Sequence, residues 1–90
     1  MAEIELEPDL SCCVQTLAKR EYDRLTRELL TSDEEDLELQ ERMETLRLFL
    51  EATNFRELRS RYEPDLVAGR RVRFTLRRAG EKAEYRMETR

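Results

Sequence analysis

Histidine is absent from this chain. Without it there are no Ser-His or Cys-His nucleophile pairs, and the commonest zinc ligand is missing. Glycine occurs twice, too few for a loop that cradles phosphate. The two cysteines, Cys12 and Cys13, are neighbours, a spacing that suits neither a disulfide nor a C-x-x-C metal pair. No stretch approaches the ~18 apolar residues of a membrane span. The opening "MAEIELEPD" is acidic where a secretory leader is basic, and no apolar segment follows it. These absences lead us to expect a cytoplasmic protein that is not an enzyme, with no cofactor, no metal and no membrane partner.

What the chain has in abundance is charge. Charged residues make up 42% of the sequence, against roughly 25% in an average domain. The 17 basic and 21 acidic side chains nearly cancel, leaving a net charge of -4. Leu, Ile, Val and Phe supply 21 of the 90 residues, just above the ~20% below which chains fail to build a core. We therefore expect one small domain over residues 1–90, with a modest core that a second subunit would help to complete. The charge is unevenly spread. Residues 1–54 hold 6 basic and 15 acidic side chains, and residues 55–90 hold 11 and 6. Asymmetry of this kind marks either a nucleic-acid surface or two halves that face each other.

Local patterns suggest the order of elements. Ala2, Ile4 and Leu6 alternate with Glu3, Glu5 and Glu7, the period of a half-buried strand. Pro8 ends it, and Asp9 or Ser11 offers a helix cap. Leu10, Val14, Leu17, Ala18, Tyr22, Leu25 and Leu29 then form one helical stripe. Glu21 lies inside that stripe and reads as a carboxylate reaching solvent or an arginine. Ser32 and Glu35 have the spacing of a capping box, and the acids Asp33 to Asp36 suit the positive end of a helix dipole. The same acidic run lacks the spacing and glycine of a calcium loop. In the second helix Leu39, Met43, Leu46, Phe49 and Leu50 form a stripe, while Leu37 and Leu48 fall on its opposite side. A helix apolar on two sides meets another layer or another subunit. Asn54 with Glu57 repeats the capping spacing, and Phe55, Leu58 and Tyr62 stripe either a short third helix or a kinked continuation of the second, which Pro64 is expected to end.

The last twenty residues read as a β-hairpin. Val72, Phe74 and Leu76 alternate with polar residues, and so do Ala83, Tyr85 and Met87. A turn centred on Ala79-Gly80 sets Leu76 opposite Ala83, Phe74 opposite Tyr85 and Val72 opposite Met87. The outward face of that register is less comfortable: Arg71 meets Glu88, but Arg73 meets Arg86 and Arg77 meets Lys82, and facing like charges destabilise a sheet. The acidic N-terminal segment, added as a third antiparallel strand, would supply the missing negative charge. The other source would be phosphates or an acidic partner at Arg71, Arg73, Arg77, Lys82 and Arg86. The four-residue stretch "EPDL" occurs at 7–10 and again at 63–66. It reads as punctuation, strand to helix and then helix to strand.

Cys12 and Cys13 fall in the first turn of the first helix, where a thiol pKa can drop. Glu7 and Asp9 oppose that, and Cys13 at the edge of the stripe reads as core. The expected fold is α+β in the order β-α-α-(short α)-β-β, an antiparallel helical hairpin packed on a small three-stranded antiparallel sheet. The expected function is a non-catalytic binding or assembly module that associates with itself as a homodimer through Leu37 and Leu48. The alternative is nucleic-acid binding by the arginine-rich hairpin face. A sequence pI near 5.0 counts against that alternative, and Phe74 and Tyr85 have the inward parity, away from any base.

Overall fold

The structure, a computed structural model, describes residues 3–31 and 36–90. Six elements follow one another: β1 (Ile4–Leu6), α1 (Val14–Thr31), α2 (Leu37–Ala52), α3 (Phe55–Val67), β2 (Val72–Ala79) and β3 (Lys82–Thr89). The strands form one antiparallel sheet in the order β1-β2-β3. The three helices lie on one face, and the expected α+β architecture is the observed one.

The core sits between the helices and the inward parity of the sheet. Ile4 and Leu6 of β1, and Val72, Phe74 and Leu76 of β2, are all buried. Against them pack Val14, Ala18 and Leu25 from α1, Leu39, Leu46 and Phe49 from α2, and Leu58 and Tyr62 from α3. Four aromatic contacts thread this layer. Phe49 touches Phe55 at 5.2 Å and Tyr85 at 5.8 Å, while Phe74 touches Tyr62 at 5.5 Å and Tyr85 at 5.7 Å. These are separations of ring centroids, three pairs edge-on and Phe74–Tyr85 tilted, and such pairs attract beyond their buried area. One inner-parity residue is charged. Arg78, near the turn, reaches Glu41 of α2 at 3.6 Å and ties the sheet to the helices.

The helix ends differ from the sequence reading in instructive ways. Residues 9–12 form a tight turn rather than the start of α1. Asp9 accepts from the Ser11 N–H at 2.9 Å and the Ser11 hydroxyl at 2.8 Å, so it caps a turn, and Leu10 is left exposed. Cys13 takes the cap position instead, its carbonyl accepting from the Leu17 N–H at 3.1 Å and its Sγ lying 3.1 Å from the Thr16 hydroxyl. The first free N–H of α1, on buried Val14, donates to the Tyr62 hydroxyl at 3.2 Å. An orphan donor at a helix start must find a partner, and here α3 supplies it.

Ala2 and the Ser32–Glu35 pair lie outside the described residues. Asp36 caps α2 through Leu39 N–H at 3.1 Å. Asn54 caps α3 through Glu57 N–H, as its spacing suggested. Pro64 does not end α3, which runs three residues further. A proline so near the end forfeits one backbone bond to Ser60, and the turn beyond it is held independently. Gly69 N–H donates to Leu66 O at 3.0 Å and Arg70 N–H to Asp65 O at 2.9 Å. With Gly69 at φ +83°, this is the Schellman closure that glycine permits. The first "EPDL" does join strand to helix, but the second lies inside α3 and is not a helix-to-strand switch.

Hairpin register is the largest correction. Ala79 pairs with Lys82, so the two turn residues are Gly80 and Glu81. Gly80 has φ +64°, and no non-glycine described residue has positive φ. A type II′ turn needs positive φ only at its first central position, and a type I′ turn needs it at both. Gly80-Glu81 therefore makes a II′ turn. Every partner on β3 moves two residues from the expected pairing. Phe74 faces Met87 and Leu76 faces Tyr85, with the faces themselves unchanged.

Candidate interaction surfaces

With the register shifted by two, the outer face of the sheet balances its own charge. Arg73 lies opposite Glu88, Thr75 opposite Arg86 and Arg77 opposite Glu84. Arg73 donates to Glu88 at 2.9 Å and Arg77 to Glu84 at 3.3 Å, while Arg86 reaches the other oxygen of Glu88 at 3.0 Å. Arg73, bonded to it and backed by the charge of Arg86, holds the Glu88 carboxyl below its ordinary value, against the opposing effect of burial. The expected clashes of Arg73 with Arg86 and of Arg77 with Lys82 do not occur.

β1 does pair with β2, Ile4 opposite Leu76 and Leu6 opposite Phe74. Its electrostatic part is minor, since Glu5 only approaches Arg73 at 4.0 Å. Neutralisation comes chiefly from within the hairpin.

The structure gathers Arg71, Arg73, Arg77, Lys82 and Arg86 on or beside this outer face, as the parity of the two strands required. Arg86 is the most open, its side chain 74% exposed, whereas Arg73 is 30% exposed and engaged. The two leucines assigned to an interface part company. Leu37, the first residue of α2, is 71% exposed. Leu48, in the middle of α2, is only half-buried. Leu30 at the end of α1 is also strongly exposed. Glu21 binds Arg24 on its own helix, as read from the sequence.

The helix surfaces hold further ion pairs at three- and four-residue spacing. Arg47 bonds Glu44 and Glu51, and Arg59 bonds Glu63. These lock charge within each helix.

Between the start of α1 and α3 lies an open groove of about 260 Å³ lined by Cys13, Phe55, Arg56, Arg59 and Tyr62, among others. The Thr16 hydroxyl draws the Cys13 thiol below its ordinary pKa against the effect of burial, with backbone N–H groups and Arg59 adding to it. Those same contacts account for Cys13 as a helix cap. No group of three or more Cys, Asp or Glu side chains suited to a metal occurs among the described residues. Among them too, no helix is long and apolar enough to cross a membrane.

The free edge of β3 was missed in the sequence. Arg71 and Arg90 exchange both backbone bonds at 2.8 Å, just beyond the strand ends. Antiparallel ladders alternate, so Glu88, Arg86, Glu84 and Lys82 turn their backbone groups toward β2. Ala83, Tyr85 and Met87 turn theirs outward. Tyr85, on that edge, keeps 39% of its surface exposed. The signal in the sequence was the alternating sign of Lys82, Glu84, Arg86 and Glu88.

The fold and its surfaces define a small α+β protein with a one-sided sheet. Residues 2–88 match the model of one protein family, and the chain belongs to that family. It is similar to an uncharacterized protein of Archaeoglobus fulgidus, 38% identical over 72 residues, a match covering 78% of this chain and 81% of the relative. No solved structure matches it.

Proposed function

We propose that this protein is a small, non-catalytic cytosolic module for protein assembly that associates with itself. The observation that carries the reading is the open side of β3. Eight residues run without proline, and among the described residues no strand lies beside their outward N–H and C=O groups. Edges of this kind are where sheets recruit another strand. Leu37 offers a second contact on α2, with half-buried Leu48 a weaker one.

The outer arginine face supports nucleic-acid binding less, because Glu84 and Glu88 already engage Arg77, Arg73 and Arg86. Sedimentation equilibrium tests the reading. The mass should climb with concentration from 10.9 kDa toward twice that value. A fixed monomer mass at every concentration refutes self-association. Salt-sensitive retention on a polyanion column, lost in an Arg77→Ser, Arg86→Ser double variant, would instead favour nucleic acid.

A further inference from the structure

We infer that a second copy of this chain docks antiparallel along β3, with the two-fold axis at Tyr85, making one six-stranded sheet. This rests on the self-association proposed above and names its seam.

The argument is one of parity and sign. The outward backbone groups belong to Ala83, Tyr85 and Met87, so only pairings that set odd residues opposite odd residues can form a ladder. Centred on Tyr85, the ladder sets Tyr85 opposite Tyr85 and Ala83 opposite Met87 on the inner face. On the outer face it sets Glu84 of one copy opposite Arg86 of the other, and Lys82 opposite Glu88. Each outer-face pair is then of opposite charge. Sliding by two residues brings Glu84 onto Glu84 or Arg86 onto Arg86, and like charges directly opposite destabilise. Sliding by four restores the signs but pairs fewer strand residues.

The register centred on Tyr85 uses nearly all of β3 (Lys82–Thr89) and covers its exposed tyrosine. Charged side chains on an edge ordinarily discourage indiscriminate pairing. Alternating signs do so for most partners while admitting one strand of matching pattern, and this strand matches itself. The inner face of the joined sheet also stays apolar across the seam, continuous with Phe74 and Phe49, which Tyr85 already touches.

The test is a pair of charge reversals. Glu84→Arg places an arginine opposite Arg86 of the second copy, and Arg86→Glu places a glutamate opposite Glu84. Each variant alone should dimerise about tenfold or more weakly than the parent chain, because two opposite-charge pairs become like-charge pairs. An equimolar mixture of the two should recover dimerisation. In the mixed pair the introduced arginine faces the introduced glutamate, and the retained Arg86 of one variant faces the retained Glu84 of the other. The recovery itself shows that both variants are folded. A register shifted by two residues instead weakens neither variant and strengthens one of them, and a shift by four gives no recovery in the mixture.

Parent-like dimers from each variant overturn the seam. So does a mixture that fails to recover while both variants keep the parent circular dichroism. Either result leaves self-association standing, to be moved to the face around Leu37. A parent chain that is monomeric from about 1 µM to about 1 mM overturns the seam and the broader reading together.

Discussion

Replacing Tyr62 by Phe removes one oxygen from the interior and isolates the contact that joins α3 to the start of α1. Tyr62 is 2% exposed and Val14 1%, so no solvent reaches the Val14 N–H once the hydroxyl 3.2 Å away is gone. The ring remains and keeps its 5.5 Å edge contact with Phe74, so almost no apolar burial is lost. What remains is the cost of one buried, unpaired backbone donor, about 1–3 kcal/mol. In a domain of this size each kcal/mol moves the melting temperature by about 4–8 °C, so Tm should fall by roughly 4–24 °C.

Urea unfolding followed by circular dichroism should show a lower midpoint with an unchanged slope, since the exposed surface does not change. The alkaline limb gives a second readout. Burial raises the Tyr62 pKa above its ordinary 10.0, outweighing the bond from Val14. Below that ordinary value the phenol is protonated in both states and its contribution is fully present. As pH rises further, the unfolded phenol ionises first, and stability drains away until the folded pKa is passed. The Phe variant lacks this part of the alkaline loss. A destabilisation under about 0.5 kcal/mol, within the range of an ordinary surface change, would refute the claim that this hydroxyl closes the helix start.

Three further outcomes follow from the packing. Phe49→Ala empties a site that is 1% exposed and breaks the contacts with Phe55 and Tyr85; it should cost about 3–5 kcal/mol and leave little folded protein at 37 °C by circular dichroism. Gly69→Ala forces a side chain into φ +83° although space for its Cβ is free, so a loss of about 1–2 kcal/mol from backbone strain alone is expected in denaturant titration. The Arg73–Glu88 pair lowers the Glu88 pKa from its ordinary 4.5, so its contribution is present above that value and lost as pH falls through the lower folded value. Glu88→Gln should flatten that part of the acid limb when urea midpoints are compared across pH.

Periodicity carried the architecture, because it depends on local physics. The inward parity of Val72, Phe74 and Leu76, the stripes of α1 and α2 and the Asn54 cap all follow from neighbours three, four or two residues apart. Register was harder, because a shift of two residues preserves every face and changes only partners. Two local facts would have chosen it. Gly80 belongs at the first position of a II′ turn, and only the shifted pairing sets Arg73 and Arg77 against glutamates. The like-charge clashes of the other register were a sign that the pairing was wrong rather than that a ligand was missing.

Pro64 was misread because a proline in the last turns costs little when Gly69 and Arg70 close the helix beyond it. The role of Tyr62 as partner to Val14 lies 48 residues away in the chain, and no local pattern announces it. Among the candidate contacts, the outer-face grouping of the arginines was legible from strand parity. The edge of β3 was not, because it depends on which strand lies outermost.

Residue-resolved amide exchange in β3 puts the seam to the most direct test. The N–H groups of Glu84, Arg86 and Glu88 face β2 and should exchange slowly at every protein concentration. Those of Ala83, Tyr85 and Met87 should exchange fast in dilute protein and become protected as concentration rises, because the second copy then occupies that side. Equal protection of both sets at all concentrations, or fast exchange of the odd-numbered set in concentrated protein, would contradict a dimer joined through this edge.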